Sequence, residues 1–261
     1  MKTTTKVLAA IVISTMVIPV FNGCKKGDGD PFLSLRSRKA RVVGEWTIEK
    51  MKDESTNSYS DTYTGGSNTS SGSDKTEITG STVTISGSGT YTSTQPPNPP
   101  STSTYSYTGQ GSVTAKFTFE KDGTFIMTVD YTNLILTESS LTTTYNPMKI
   151  ERSGTWDFLG GVGKDYKNKE RMILNILSEK SNNTWTDSDG DSGNGSDTYT
   201  YANGEYSEIW HLSTLKNKEI IMDGETKNTG NYSYTDVFSS TTYTSSGTSS
   251  TTGTVSGTLT R

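Results

Sequence analysis

One cysteine and one histidine are all that this 261-residue chain holds of the two side chains most used for metal binding and nucleophilic catalysis. A single cysteine forms no internal disulfide, so no such bridge supports the fold. The same shortage excludes a His/Cys zinc centre. A serine triad would have to use His211, which lies between Trp210 and Leu212 in an apolar run, and no Gly-x-Ser-x-Gly elbow occurs. Gly160-Gly161-Val162-Gly163 is followed by neither Lys-Ser/Thr nor a helical pattern, so it is no phosphate-binding loop. Positive charge is not in excess. The net charge of -4 argues against nucleic acid as a partner. Asp157, Glu170 and Glu208 lie on or beside strand-like runs, but nothing in their spacing pairs them for glycoside hydrolysis. The chain reads as non-catalytic and without a cofactor.

Apolar residues are scarce as well, at 29% with Tyr included. Leu, Ile, Val and Phe together stay below about a fifth, a level that borders on disorder. Aromatics nevertheless reach 10% and the net charge is low. That is not the charged type of disordered chain. Ser and Thr make up about a third of the residues; Thr, Tyr, Val and Ile favour strands, while Ser and Gly favour turns. This composition predicts an all-β protein with a thin core and long polar hairpins or loops. No long segment has helical period. The best short candidate is Phe32 to Arg41, readable as a basic collar near a membrane, a solvated linker, or a short helix closing one end of a barrel.

The N-terminus carries Lys2 and Lys6, then an apolar stretch of roughly 15 residues from Val7 to Phe21. That is the length of a signal-peptide core and short of the roughly 20 residues that span a bilayer. Phe21-Asn22-Gly23-Cys24 follows, and it resembles the lipobox of bacterial lipoproteins. The resemblance implies cleavage after residue 23 and acylation of Cys24, palmitate among the chains, with the membrane as partner. The alternative is a free thiol left after an ordinary secretory cut. Two or more acyl chains anchor stably, because each buried methylene contributes about 0.8 kcal/mol. Residues 24–39 then form a tether. Lys25 is not the Asp that holds enteric-type lipoproteins in the inner membrane, so the resemblance points to the outer membrane, facing the periplasm or the surface.

From Ala40 the chain is strand-like, and residues 40–261 read as one domain. Trp46 and Ile48 alternate with polar neighbours. The clearest hairpin joins Val113, Ala115, Phe117 and Phe119 to Phe125, Met127, Val129 and Tyr131 through Glu120-Lys121-Asp122-Gly123. Met148, Ile150, Arg152, Gly154, Trp156 and Phe158 share one face of the next strand. Lys167-Asn168-Lys169-Glu170 recurs as Lys216-Asn217-Lys218-Glu219, each a turn feeding an apolar strand. Low-complexity insertions fall near 55–110, 181–203 and 227–253, as long hairpins or as loops. Within them, Gln95 to Pro100 must be an exposed connection, since its prolines cannot sit in a ladder.

Asp187-Ser188-Asp189-Gly190-Asp191 opens like a calcium loop. An EF-hand needs Gly at its sixth position and Glu at its twelfth; this chain offers Ser192 and Thr198. Asp187, Asp189 and Asp191 therefore remain weak metal candidates, against the plainer reading of an acidic hairpin tip.

Gly44-Glu45-Trp46 is similar to the Gly-x-Trp entry of lipocalins and of lipocalin-like bacterial lipoproteins. So are the 117–125 hairpin, Gly154-Thr155-Trp156 and the Trp210 to Glu219 segment. The resemblance implies an antiparallel up-and-down β-barrel of eight or so strands, entered by a short helix. It also implies that Gly44, Trp46 and Arg261 form the barrel floor, with the arginine packed across the tryptophan. Trp46, Trp156, Trp185, Trp210, Phe117, Phe125 and Phe158 would fill the interior or line an apolar cavity. Two functions are compatible with this. One is binding or carrying a small apolar molecule at the envelope. The other is contact with glycans or proteins through the Tyr/Ser/Thr-rich hairpins.

Overall fold

The computed structural model describes residues 37–63, 65–138, 141–159, 171–238 and 241–261. Cys24 and the first Lys-Asn-Lys-Glu copy lie outside these residues. A five-residue helix, α1 (Arg38–Val42), opens the domain; the Ser37 hydroxyl accepts from the Ala40 N–H at 3.1 Å and caps it. The strand expected from Ala40 thus begins later. Gly44, at φ +126°, breaks from the helix and starts the first strand.

Eleven strands follow: β1 (Gly44–Tyr63), β2 (Gly66–Thr79), β3 (Thr82–Thr94), β4 (Ser101–Phe119), β5 (Thr124–Glu138), β6 (Leu141–Phe158), β7 (Arg171–Asp187), β8 (Ser192–Thr200), β9 (Tyr206–Leu215), β10 (Glu219–Phe238) and β11 (Thr241–Thr260). All pairings are antiparallel and the sheet closes into a ring. β1 and β11 pair from Thr47↔Thr260 to Tyr63↔Ser245.

The count exceeds the eight or so strands expected, and the register shows why. At one end β1 pairs directly with β4, Gly44↔Phe119 to Thr47↔Lys116, and β7 pairs with β9, Arg171↔His211 to Asn175↔Ser207. There, eleven strands less β2, β3 and β8 enclose the interior, which leaves eight. Further along, the β2–β3 hairpin wedges between β1 and β4, and β8 lies against β7 where β9 has ended. Added strands widen a ring. The Ser/Thr-rich insertions are therefore the wall of the wide end.

The core sits at the narrow end. Inward positions there carry Trp46, Ile48, Phe117, Phe119, Phe125, Trp156, Leu174, Trp210, Leu212 and Leu259, all buried. Phe117 and Phe119 stack in parallel at 5.4 Å, and both tryptophans meet this pair edge to face, arrangements that ring quadrupoles favour. Phe117 meets Trp210 at 5.1 Å and 84°. Phe119 meets Trp156 at 5.5 Å and 75°. Toward the wide end the alternation turns to Gly, Tyr, Ser and Asn on several strands, whereas β5 continues with Val129, Tyr131 and Leu134, all buried. Trp185, expected in the interior packing, is not part of this core. It sits on the wide-end wall, where β7 has left the apolar zone.

Candidate functional site

The narrow end is closed by residues from both ends of the domain. The Arg261 guanidinium lies 3.9 Å from the Trp46 ring centroid, and its Nη2 donates to the carbonyls of Arg41, Val42 and Val43. The Trp46 Nε1–H donates to the Val42 carbonyl at 2.7 Å. Arg41 Nη1 donates to the Leu215 carbonyl and ties α1 to the end of β9. Gly44, Trp46 and Arg261 are thus one cluster. A Cβ on Gly44 would come within 2.9 Å of Arg261 Nη2.

A charged layer crosses the interior just above the apolar floor. Arg152 on β6 donates from Nε to Glu179 on β7, and its Nη1 lies 3.9 Å from Glu208 on β9. Its guanidinium also faces the Tyr206 ring at 5.7 Å, within the reach of a cation–π contact. Glu208 accepts from Trp210 Nε1 at 3.0 Å, which joins this layer to the core below. Burial pushes the Glu208 carboxyl above its ordinary range, against Arg152 and the Trp210 hydrogen bond. Burial raises Asp53 on β1 in the same way, with Arg152 opposing and Asp74 adding to it. Burial likewise raises the Tyr131 and Tyr206 phenols. For Arg152, burial works against the charge, and Tyr206, Glu179 and Glu208 outweigh it. The sequence places Arg152 on an apolar strand face; a lone cation among Met148, Ile150 and Trp156 is the available signal for this layer.

Above the layer the inner wall is polar and aromatic. Asp74 accepts from both the Asn57 amide and the Tyr107 hydroxyl, and burial together with Asp74 pushes the Tyr107 phenol up. The outer face is lined with hydroxyls. Ser58 and Ser250 meet at 2.9 Å, Thr56 and Thr252 at 3.1 Å, Thr92 and Thr102 at 3.0 Å. A groove of about 870 Å³ crosses β10, β11, β1, β2, β3 and β4 on this face, with Thr56, Ser73, Ser88, Ser106 and Thr252 among its walls.

His211 lies toward the outside, its Nδ1 3.4 Å from Asp223 Oδ2. Asp187, Asp189 and Asp191 occupy the exposed β7–β8 turn. Asp187 Oδ1 accepts from the backbone N–H groups of Asp189 and Asp191, at 3.0 and 2.9 Å. This is the chemistry of an Asx-type turn. Among the described residues, no group of three or more His, Cys, Asp and Glu is placed to hold a metal ion.

No protein-family model matches the chain, and no curated protein matches it in sequence.

Proposed function

We propose that the chain is a non-catalytic lipoprotein of the outer membrane, tethered through acylated Cys24, whose flared ring displays a hydroxyl- and aromatic-lined surface to glycans. The ring is the lipocalin-like up-and-down barrel of the sequence reading, widened by the β2–β3 hairpin and β8. One observation carries this reading. The large apolar side chains, from Trp46, Phe119 and Trp210 at the narrow end to Val129 and Leu134 past Arg152 on the neighbouring strand, are buried, whereas the grooves in reach of a ligand are walled mainly by Ser and Thr. A carrier of small apolar molecules needs an apolar cavity. The outer grooves here are walled by hydroxyls and by Lys/Glu pairs such as Lys52–Glu54 and Lys75–Glu77. The exterior hydroxyls also weigh against a ring that crosses the bilayer, since lipid-facing strands carry an apolar band.

The test uses full-length lipoprotein extracted from membranes in detergent. Retention in gels that contain dextran, laminarin, xylan or mannan, or on peptidoglycan sacculi, is the expected result. Retention by none of them overturns the glycan reading. Cys24→Ser should move the protein from the membrane to the soluble fraction, and unchanged fractionation refutes the anchor.

A further inference from the structure

On the inner wall of the wide end, Glu179, Ser181, Asn183 and Trp185 lie on one face of β7. The face is fixed by Glu179, which reaches inward to Arg152, and by the unbroken pairing of 178–186 with β8. The residues between them point the other way: Thr184 bonds Asn194 at 2.9 Å and Asn182 accepts from Ser196 at 2.9 Å, both on the exposed outer side. Opposite Trp185 on β8 stands Gly193, and opposite Asn183 stands Gly195.

Those two glycines set how the side chains lie. A Cβ on Gly193 would meet Cζ2, Cε2 and Nε1 of Trp185 at 2.9, 3.0 and 3.0 Å. Three ring atoms at nearly one distance mean that the indole rests flat on the glycine backbone. One face of the ring is covered by β8 and the other is turned to the lumen, and the residue is only part-buried. Asn183 lies across Gly195 in the same manner, with its amide nitrogen and oxygen 2.9 and 3.0 Å from a Cβ placed there. One step further, the Ser181 hydroxyl meets Asp197 at 3.3 Å. Side chains two residues apart on a strand stand about 7 Å from each other. The wall thus offers a flat aromatic face, then an amide, then a hydroxyl–carboxylate pair, in one line.

We infer that Trp185 is the stacking platform of a saccharide site on this wall, with Asn183 and the Ser181–Asp197 pair bonding the sugar hydroxyls. The inference rests on the glycan reading above and names its site. A pyranose has a C–H-rich face and a rim of hydroxyls, which matches an indole face in line with amide, hydroxyl and carboxylate groups. On its other side Trp185 is paired with Tyr145 on β6, so a second aromatic shares this face beside Gly193, Gly195 and Asn183. Access is also provided for. Among the described residues no strand pairs with the far edge of β8, or with β10 beyond Asn228 on the β9 side, so the wall opens laterally as well as at the rim.

The experiment compares full-length wild type, Trp185→Ala and Trp185→Phe against the polysaccharide that retains the wild type most strongly in the panel of dextran, laminarin, xylan, mannan and sacculi. Trp185→Ala should weaken retention by about tenfold or more, which corresponds to about 1.4 kcal/mol. Trp185→Phe, which keeps a flat face, should recover most of it, and melting curves of the three should agree. Binding by wild type that is equal in Trp185→Ala overturns this site and leaves the glycan reading intact. Absence of polysaccharide binding by wild type removes the reading and the site together. Protein-sensitive retention, lost when sacculi are stripped of attached protein, counts against the saccharide assignment.

Discussion

Arg261, the last residue, stacks on Trp46, the third residue of the first strand, at 3.9 Å from guanidinium carbon to ring centroid. The contact joins the first and last strands of the ring where eight strands suffice to close it. A planar cation over an indole contributes about 2 kcal/mol or more when shielded from water. The carbonyls of residues 41 to 43 add charge-assisted hydrogen bonds to the same guanidinium. Arg261→Ala should therefore lower unfolding free energy by about 2–3 kcal/mol, read as a shift of the urea midpoint. Arg261→Lys should recover only part, because an ammonium neither stacks nor forks. Trp46→Ala, which empties a fully buried site, should cost about 3–5 kcal/mol. A loss under about 1 kcal/mol for Trp46→Ala would mean that the ring does not depend on this closure.

Gly44 makes that stacking possible in two separable ways. Its φ of +126° is disfavoured for any residue with a Cβ, and its bare Cα leaves room for Arg261 Nη2. Gly44→Ala should destabilise by about 1–3 kcal/mol from the backbone alone. Steric conflict with the arginine adds to this in the wild-type background. In an Arg261→Ala background the second effect is gone, so the double mutant should be more stable than the sum of the two single changes predicts. Strict additivity in urea titrations would show that the arginine does not feel residue 44.

How much of this can be read from the chain depends on what each face of a strand is made of. Where one face is apolar, alternation is plain. The 113–131 hairpin pairs Phe119 with Phe125, and Gly123 takes φ +92° in its turn. The Met148 to Phe158 face and the Glu219 turn are equally legible. In the 55–110 stretch both faces are polar, so the period of two vanishes into Ser and Thr, and hairpin and loop cannot be told apart. The residual signal is that inward positions alternate between Gly and Tyr on neighbouring strands. The Tyr107 ring lies over Gly87, where a Cβ would meet its Cζ and Cε1 at 2.5 and 2.6 Å. Residue type alone puts Trp185 in the interior packing; its opposite neighbour in the ladder, Gly193, decides otherwise. The extra strands of the wide end depend on long-range register, which no local pattern contains.

The charged layer predicts how stability depends on pH. Asp53 and Glu208 have folded-state pKa values raised by burial, so the native protein holds protons there that the unfolded chain has released. The unfolded values are about 3.9 and 4.3. Between those values and the raised folded ones the native state binds more protons, and stability falls as pH increases. The contribution of these two carboxyls is therefore full below about pH 4, where the unfolded chain is protonated as well, and is lost as pH rises through their folded pKa values. Asp53→Asn and Glu208→Gln keep shape and remove the charge. Each should raise the melting temperature at neutral pH and flatten its decline between pH 4 and 8, with Arg152 still paired to Glu179. If both variants instead melt lower than wild type at neutral pH with an unchanged pH profile, the carboxylates are held by their attraction to Arg152, and burial is not the dominant effect in the layer.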